Sequence, residues 1–175
     1  MLAMVPVRVA VFLVASAAIV RLSWRSLRDP RSHGFYRFVA FELLIALVLL
    51  NVPVWFHHPL SAHQLVSWAL GAASIGLAIE GFRLLRVIGR PSPTSSQSAN
   101  LGFENTPTLV TAGVQGFIRY PMYASLLAFV WCAQLKNPLT LSSIVLAMSA
   151  SGFLIVASIA EERENLVRFG AVYAA

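Results

Sequence analysis

The chain has 175 residues, of which 58% are hydrophobic and only 11% carry a charge. Soluble domains are usually about a quarter charged, so this composition excludes an ordinary soluble fold and indicates a polytopic membrane protein. The net charge of +6 does not predict a nucleic-acid partner, because the arginines separate apolar runs instead of clustering with aromatic residues on one polar segment.

Long apolar runs predict the secondary structure, since a membrane-spanning helix needs about 20 mostly apolar residues. They indicate an all-α membrane protein with about five transmembrane helices, near residues 4–22, 36–55, 63–84, 121–135 and 139–160. Asn137 and Pro138 form a turn signal between the last two, which predicts a C-terminal helical hairpin. The segment after residue 160 is predicted to form a cytoplasmic amphipathic helix.

The positions of the basic residues predict the orientation. Eleven of the thirteen Lys and Arg residues fall on one side of the five-helix arrangement, and the exceptions are Arg8 and Lys136. That side is predicted to be cytoplasmic, with the N-terminus outside and the C-terminus inside. Arginine is far more frequent than lysine, as in GC-rich bacterial genomes, so we expect a multi-pass protein of the bacterial inner membrane.

A polar stretch at residues 91–107, rich in Pro, Ser and Asn, predicts a loop that divides the chain into two regions. Residues 1–108 contain the N-terminal helices and this loop. Residues 109–175 contain the hairpin and its two flanks, Gly113–Tyr123 and Glu161–Tyr173. Because a hairpin returns both flanks to the same membrane face, these polar segments are predicted to lie close together.

An arginine precedes the start of the fourth predicted helix. The residue before a proline is disfavoured in helical geometry, so Tyr120 is predicted to be the boundary and Pro121 the first helical residue. Arg119 is then at a helix N-terminus, where the helix dipole is already positive. An anion bound there would interact favourably with both positive charges.

The C-terminal segment carries a helical stripe. Glu162, Leu166, Phe169 and Tyr173 recur at helical spacing, which predicts an inward direction for Glu162. A buried carboxylate needs a partner, and we expect a ligand or Arg119 to contact Glu162 and, with less support, Glu161. A solvated amphipathic tail, with Glu164 and Arg168 paired at i,i+4, is the alternative.

Other polar and small residues have structural explanations. Glu80 is predicted to pair with Arg83, and Cys132 to be a packing residue. Glu42 is an intramembrane carboxylate, which is either a functional group or is neutralised by a neighbouring arginine. The three histidines between the second and third helices have no Cys or carboxylate near them, so no metal is expected. A small-residue face for helix packing is predicted at Gly71, Ala72, Gly76 and Gly81.

Residues 109–173 resemble the isoprenylcysteine carboxyl methyltransferase family of integral membrane methyltransferases. The resemblance consists of "LVTAGVQGFIRYPMY", an apolar hairpin, and then "EERENLVRFGAVY". The matching positions are Leu109, Val110, Gly113, Arg119, Pro121, Tyr123, Glu161, Glu162, Leu166, Phe169, Gly170 and Tyr173. Tyr120 is a departure, because the family has histidine there.

The resemblance implies an S-adenosylmethionine-dependent methyltransferase that acts on a lipophilic acceptor, of which a carboxylate of the isoprenylcysteine type is the expected example. It implies Arg119 as the catalytic residue that holds an anion. The implied cofactor-binding residues are Gly113, Tyr120, Pro121, Tyr123, Glu161 and Glu162. The alternatives are an NADPH-dependent membrane reductase, which shares an Arg-x-x-Pro-x-Tyr region, and a non-enzymatic membrane accessory protein with a degenerate site.

Overall fold

The computed structural model describes residues 4–87, 118, 120–136 and 140–169, and every regular element in these ranges is helical. The five α-helices are α1 (Met4–Ser23), α2 (His33–Asn51), α3 (Ala62–Val87), α4 (Pro121–Gln134) and α5 (Leu141–Phe169). Short 3₁₀ turns follow α1 and α2, at Ser26–Arg28 and Val52–Val54. Four of these helices, α1, α2, α3 and α5, are long and apolar enough to cross a membrane, so the chain is a multi-pass membrane protein.

Two expectations about the C-terminal helices need correction. The 14 residues of α4 rise only about 21 Å, less than the roughly 30 Å thickness of a bilayer's hydrocarbon core, so α4 alone is too short to span it. The predicted amphipathic helix after residue 160 is not a separate element, because α5 continues without a break to Phe169. The turn at residues 137–139 lies outside the described residues.

Three hydrogen-bonded contacts show how the helices are directed. Asn51 Nδ2 donates to the Ala133 carbonyl over 2.8 Å, which places the ends of α2 and α4 together. Gln134 Nε2 donates to Ser143 Oγ over 3.0 Å, at the end of α4 and the start of α5. His33, at the start of α2, bonds to Glu164 near the end of α5. Helices α2 and α4 therefore run in the same direction, and α5 runs antiparallel to both.

A polar seam joins α3 to α4. Ser67 Oγ donates to the Cys132 carbonyl and Ser74 Oγ to the Ser125 carbonyl, each over 2.8 Å. One turn before Ser67, Gln64 Nε2 donates to the Lys136 carbonyl over 3.2 Å. The residue numbers of the partners on the α4 side decrease as those on α3 increase, so the two helices are antiparallel.

The predicted small-residue face is only partly the contact face. A methyl group on Gly71 would lie 3.1 Å from Cys132 Sγ, and one on Gly81 would lie 3.3 Å from Met122 Sδ. Gly76 has nothing within 4 Å of that position, and Ala72 is exposed. The contact face therefore combines two of the predicted glycines with polar side chains.

The core lies between α2, α4 and α5 and consists mainly of small side chains. Its alanines permit close approach of the helices, as is usual inside membranes. Its fully or almost fully buried members are Ala40, Leu44, Leu47, Tyr123, Val130, Ala133, Ala147, Ala150, Leu154 and Ala157. Helix α1 packs mainly against α2, and most of its apolar side chains remain exposed, as expected for a helix surrounded by lipid.

The bundle has two chemically different ends. We call the end where α1 and α3 finish and α2 and α4 begin the arginine end, because Arg21, Arg25, Arg37 and Arg86 lie there. The opposite end, where α2 and α4 finish, contains Lys136 and the three histidines, and we call it the lysine end. This division agrees with the distribution of basic residues in the sequence.

Candidate functional site

The first turn of α4 lies at the arginine end and begins as predicted. Tyr120 is the N-cap, with φ −127° and ψ 70°, and Pro121 is the first helical residue. The proline is buried against Gly81 of α3. Arg119 and Gly113, the predicted anion-holding residue and one predicted cofactor residue, lie outside the described residues.

Two tyrosines on this turn form an aromatic pair. The ring centroids of Tyr120 and Tyr123 are 6.1 Å apart, and the rings meet edge to face at 71°. Tyr123 belongs to the core, and Tyr120 is partly buried against it. The spacing of three residues places both rings on one side of α4, where the buried ring of Tyr123 supports the partly exposed ring of Tyr120.

Leu166, which the predicted stripe shares with Glu162, is 41% exposed and so does not belong to the buried core. The buried stripe of α5 is instead formed by Ala147, Ala150, Leu154 and Ala157, and at the same spacing it continues to Glu161 and Glu164. Glu162 is half-buried on the neighbouring face.

A contact between α2 and α5 was not predicted from the sequence. Glu164 Oε1 accepts from the backbone N–H of His33 over 3.0 Å, and Glu164 Oε2 lies 2.8 Å from His33 Nδ1. Glu164 therefore has a partner 131 positions away in the sequence. The side chain of Arg168, its predicted i,i+4 partner, lies outside the described part of the chain. The available signal was weak: Ser32 is a good N-cap before His33, and Glu164 lies one turn beyond Glu161.

The remaining ionisable groups separate into structural and unexplained cases. Glu80 and Arg83 form the predicted pair, with 3.5 Å between Oε1 and Nη1 on the exposed face of α3. Glu42 Oε1 is buried and has no hydrogen-bond partner within the described part of the chain. In that part, no three His, Cys, Asp or Glu side chains are close enough to hold a metal ion.

At the lysine end, a second polar cluster holds Lys136. Its Nζ lies 3.1 Å from the centre of the Trp68 ring and donates to Gln64 Oε1 over 3.1 Å. The lysine is only 1% exposed, and the Trp55 ring is 5.6 Å away on another side. This cluster joins the turn after α4 to α3, and it lies at the opposite end from the predicted site residues.

The arginine end therefore carries groups that suit a cationic, ring-containing ligand. Aromatic faces attract sulfonium and ammonium groups, and carboxylates accept hydrogen bonds from ammonium and ribose hydroxyl groups. Tyr120 and Tyr123 supply the first kind of group on α4, and Glu161 and Glu162 supply the second on α5, which packs against α4. The donor and acceptor chemistry of these residues fits S-adenosylmethionine.

Comparison of the chain with known protein families, characterised proteins and solved structures finds no match.

Proposed function

We propose that the chain is an integral membrane S-adenosylmethionine-dependent methyltransferase that acts on a lipophilic acceptor. Two separate observations support the proposal. The first is the motif pattern of residues 109–173, with its arginine, proline and tyrosine before one apolar segment and its two glutamates after the next. The second, which carries most weight, is the tyrosine pair at the start of α4, a helix in contact with the one that bears both glutamates.

The proposed roles follow from the charge of the cofactor. Tyr120 and Tyr123 would hold the sulfonium or the adenine ring against their aromatic surfaces. Glu161 and Glu162 would accept hydrogen bonds from the ribose hydroxyls or the ammonium group. Pro121 would fix the start of α4, since its ring is buried against α3. When bound, S-adenosylmethionine supplies an electrophilic methyl group.

A membrane-embedded site suits this chemistry. When a sulfonium reacts with an anionic acceptor, two opposite charges are neutralised, and water stabilises the separated charges more than the transition state. A protein that excludes water therefore lowers the barrier. The bundle's apolar outer surface would also allow a lipophilic acceptor to arrive from the bilayer.

The two alternatives make different predictions about ligands. NADPH carries several phosphate charges, and carboxylates at Glu161 and Glu162 would repel them. An accessory protein with a degenerate site would bind neither nucleotide. The arginines at the same end of the bundle, such as Arg37 and Arg86, would attract the phosphates of NADPH. Charge alone therefore does not separate the two cofactors, and direct titration distinguishes the three functions.

The test is calorimetric titration of the detergent-solubilised protein with S-adenosylmethionine and, separately, with NADPH. We expect S-adenosylmethionine to bind and NADPH not to bind. Because a hydrogen bond to a charged group is worth about 1.5–3 kcal/mol, Glu161→Gln and Glu162→Gln should each weaken binding about tenfold or more.

Glu80→Gln is the matched control, because it removes a carboxylate that is paired with Arg83 on α3 and has no proposed role with the cofactor. It should bind like the wild type. Binding of NADPH alone would support the reductase, and binding of neither ligand would support the accessory protein. Unchanged affinity for S-adenosylmethionine in both folded site variants would show that the cofactor does not bind at these glutamates of α5.

A further inference from the structure

His33 has the features of a buried proton acceptor. The imidazole is 1% exposed, although it lies at the first position of α2 and near the arginine end. Its Nδ1 is held by Glu164, while its Nε2 is buried and makes no hydrogen bond within the described part of the chain. A buried polar atom without a partner is unfavourable, so its presence requires an explanation.

The hydrogen bonds to Glu164 determine the tautomer. One carboxylate oxygen accepts the backbone N–H of His33 and the other accepts Nδ1, so both oxygens act as acceptors and the proton is on Nδ1. In the neutral ring, Nε2 then carries the free lone pair. The unpartnered atom is therefore a base.

This geometry persists when the ring gains a proton. Nδ1–H donates to Glu164 in both the neutral and the charged imidazole, so only the proton on Nε2 changes. The carboxylate also stabilises the imidazolium that forms. Arg37, one turn further along α2, also stabilises the charged carboxylate of Glu164 electrostatically. A base oriented by a carboxylate is the arrangement that enzymes use to remove a proton from a nucleophile.

The pair also lies near the proposed methyl-donor site. Glu164 is one turn beyond Glu161 on α5, and both continue the buried stripe of that helix. On α2, Tyr36 follows His33 by three residues and packs against the core cluster that contains Tyr123. Tyr120 packs against the same cluster. The start of α2 and the start of α4 therefore adjoin the same cluster.

We propose that His33 is the general base for the methyl acceptor, that Glu164 is its positioning residue, and that the acceptor is a lipophilic thiol. This inference rests on the proposed methyltransferase function and names its substrate class. A carboxylate is already ionised at neutral pH and needs no base. The thiol of a cysteine residue has a pKa of about 8.5, only about two units above that of ordinary imidazole, whereas the amine of lysine and the phenol of tyrosine lie near 10.

The proposed proton and bond changes balance. The thiol proton moves to His33 Nε2, and the resulting thiolate forms a bond to the methyl carbon. The electron pair of the breaking carbon–sulfur bond remains on the sulfur of S-adenosylhomocysteine. The imidazolium then releases its proton to water.

The decisive variant is His33→Asn. Its amide nitrogen takes the place of Nδ1 and still donates to Glu164, but it has no counterpart of Nε2. Glu164→Gln is the second variant, because it keeps the shape and removes the negative charge. His63→Gln is the control, since this exposed histidine lies at the lysine end.

The first measurement needs no methyl donor. An N-acylcysteine amide with a long alkyl chain and a free thiol, which we call the alkyl thiol, is bound to the solubilised protein. The thiolate absorbance in the ultraviolet is followed against pH. We expect the bound thiol to ionise at least one pH unit lower in the wild type and in His63→Gln than in His33→Asn. Identical ionisation curves would overturn the proposal.

The second measurement is turnover with S-adenosylmethionine on the alkyl thiol and on the fatty acid of equal chain length. General bases typically contribute about 10²–10⁴-fold, so His33→Asn should lower thiol kcat by that factor and leave S-adenosylmethionine binding unchanged. Glu164→Gln should lower it less. A folded His33→Asn variant with wild-type thiol turnover would reject His33 as the general base, and so would turnover of the fatty acid alone. Failure of the wild type to bind S-adenosylmethionine would instead reject the proposed methyltransferase function.

Discussion

Replacing Gln64 by leucine tests the cluster at the lysine end. Gln64 is fully buried at the start of α3, where its Oε1 accepts from Lys136 Nζ over 3.1 Å. Its Nε2 donates to the carbonyls of Lys136 and His57, each over 3.2 Å. Leucine has nearly the same volume but makes none of these bonds, so packing is kept while polar contacts are removed.

The magnitude follows from the burial of Lys136. Because the ammonium is only 1% exposed, water does not replace the lost acceptor, and a hydrogen bond to a charged group is worth about 1.5–3 kcal/mol. The two carbonyl bonds add roughly 0.6 kcal/mol each, the average measured inside membranes. Burial of the leucine offsets about 1–2 kcal/mol. We expect the free energy of unfolding to fall by about 1–3 kcal/mol.

Unfolding in mixed detergent micelles, followed by tryptophan fluorescence, measures this change directly, because Trp68 lies against the ammonium. His63→Leu, one residue earlier and exposed, should leave the free energy of unfolding within about 0.5 kcal/mol of the wild type. In Gln64→Leu combined with Lys136→Met, both partners are gone and stability should partly return. A single variant as stable as the wild type, or purely additive effects, would refute the assignment of this contact.

Three further predictions concern other parts of the bundle. Burial lowers the pKa of Lys136, and the nearby Cys132 partly opposes this effect, so the unfolded chain keeps the proton to higher pH than the folded chain does. The free energy of unfolding should therefore rise as the pH approaches the ordinary lysine value of 10.5. Lys136→Met should abolish that rise in denaturation curves. Gly71→Val should lower the free energy of unfolding by about 1–3 kcal/mol, because the new methyl groups would contact Cys132. Gly76→Val, on the open side of α3, should not lower it. Equal effects of the two variants would show that Gly71 does not face α4. Single cysteines at Arg28 and His58, which lie on either side of α2, should be labelled by an impermeant reagent from opposite sides of the membrane. Labelling of both from the same side would exclude α2 as a spanning helix.

Local properties of the chain were predictable from the sequence. The apolar runs identified the spanning helices α1, α2, α3 and α5, because hydropathy is summed within a segment and needs no knowledge of its neighbours. The start of α4 at Pro121 followed from the geometry of the proline ring and of the residue before it. The Glu80–Arg83 pair followed from helix spacing alone.

The faces of the helices were not predictable in the same way. Lipid tails are as apolar as the side chains of neighbouring helices, so a periodic pattern does not distinguish a helix contact from a lipid contact. This is why the stripe through Glu162 and Leu166 was chosen over the buried one that leads to Glu161. For the same reason the sequence predicts Gly76 and Gly71 on one packing face, although Gly71 faces α4 and Gly76 does not.

Only the tertiary structure paired polar groups that are distant in the sequence. Glu164 bonds to His33, 131 positions earlier, because α5 runs antiparallel to α2 and returns to where α2 begins. Lys136 resembles an ordinary loop cation until α3 and the turn after α2 place Gln64, Trp68 and Trp55 around it. Composition and hydropathy determined that this chain enters the membrane, whereas the antiparallel packing decided which of its few charged groups are buried and what each one meets.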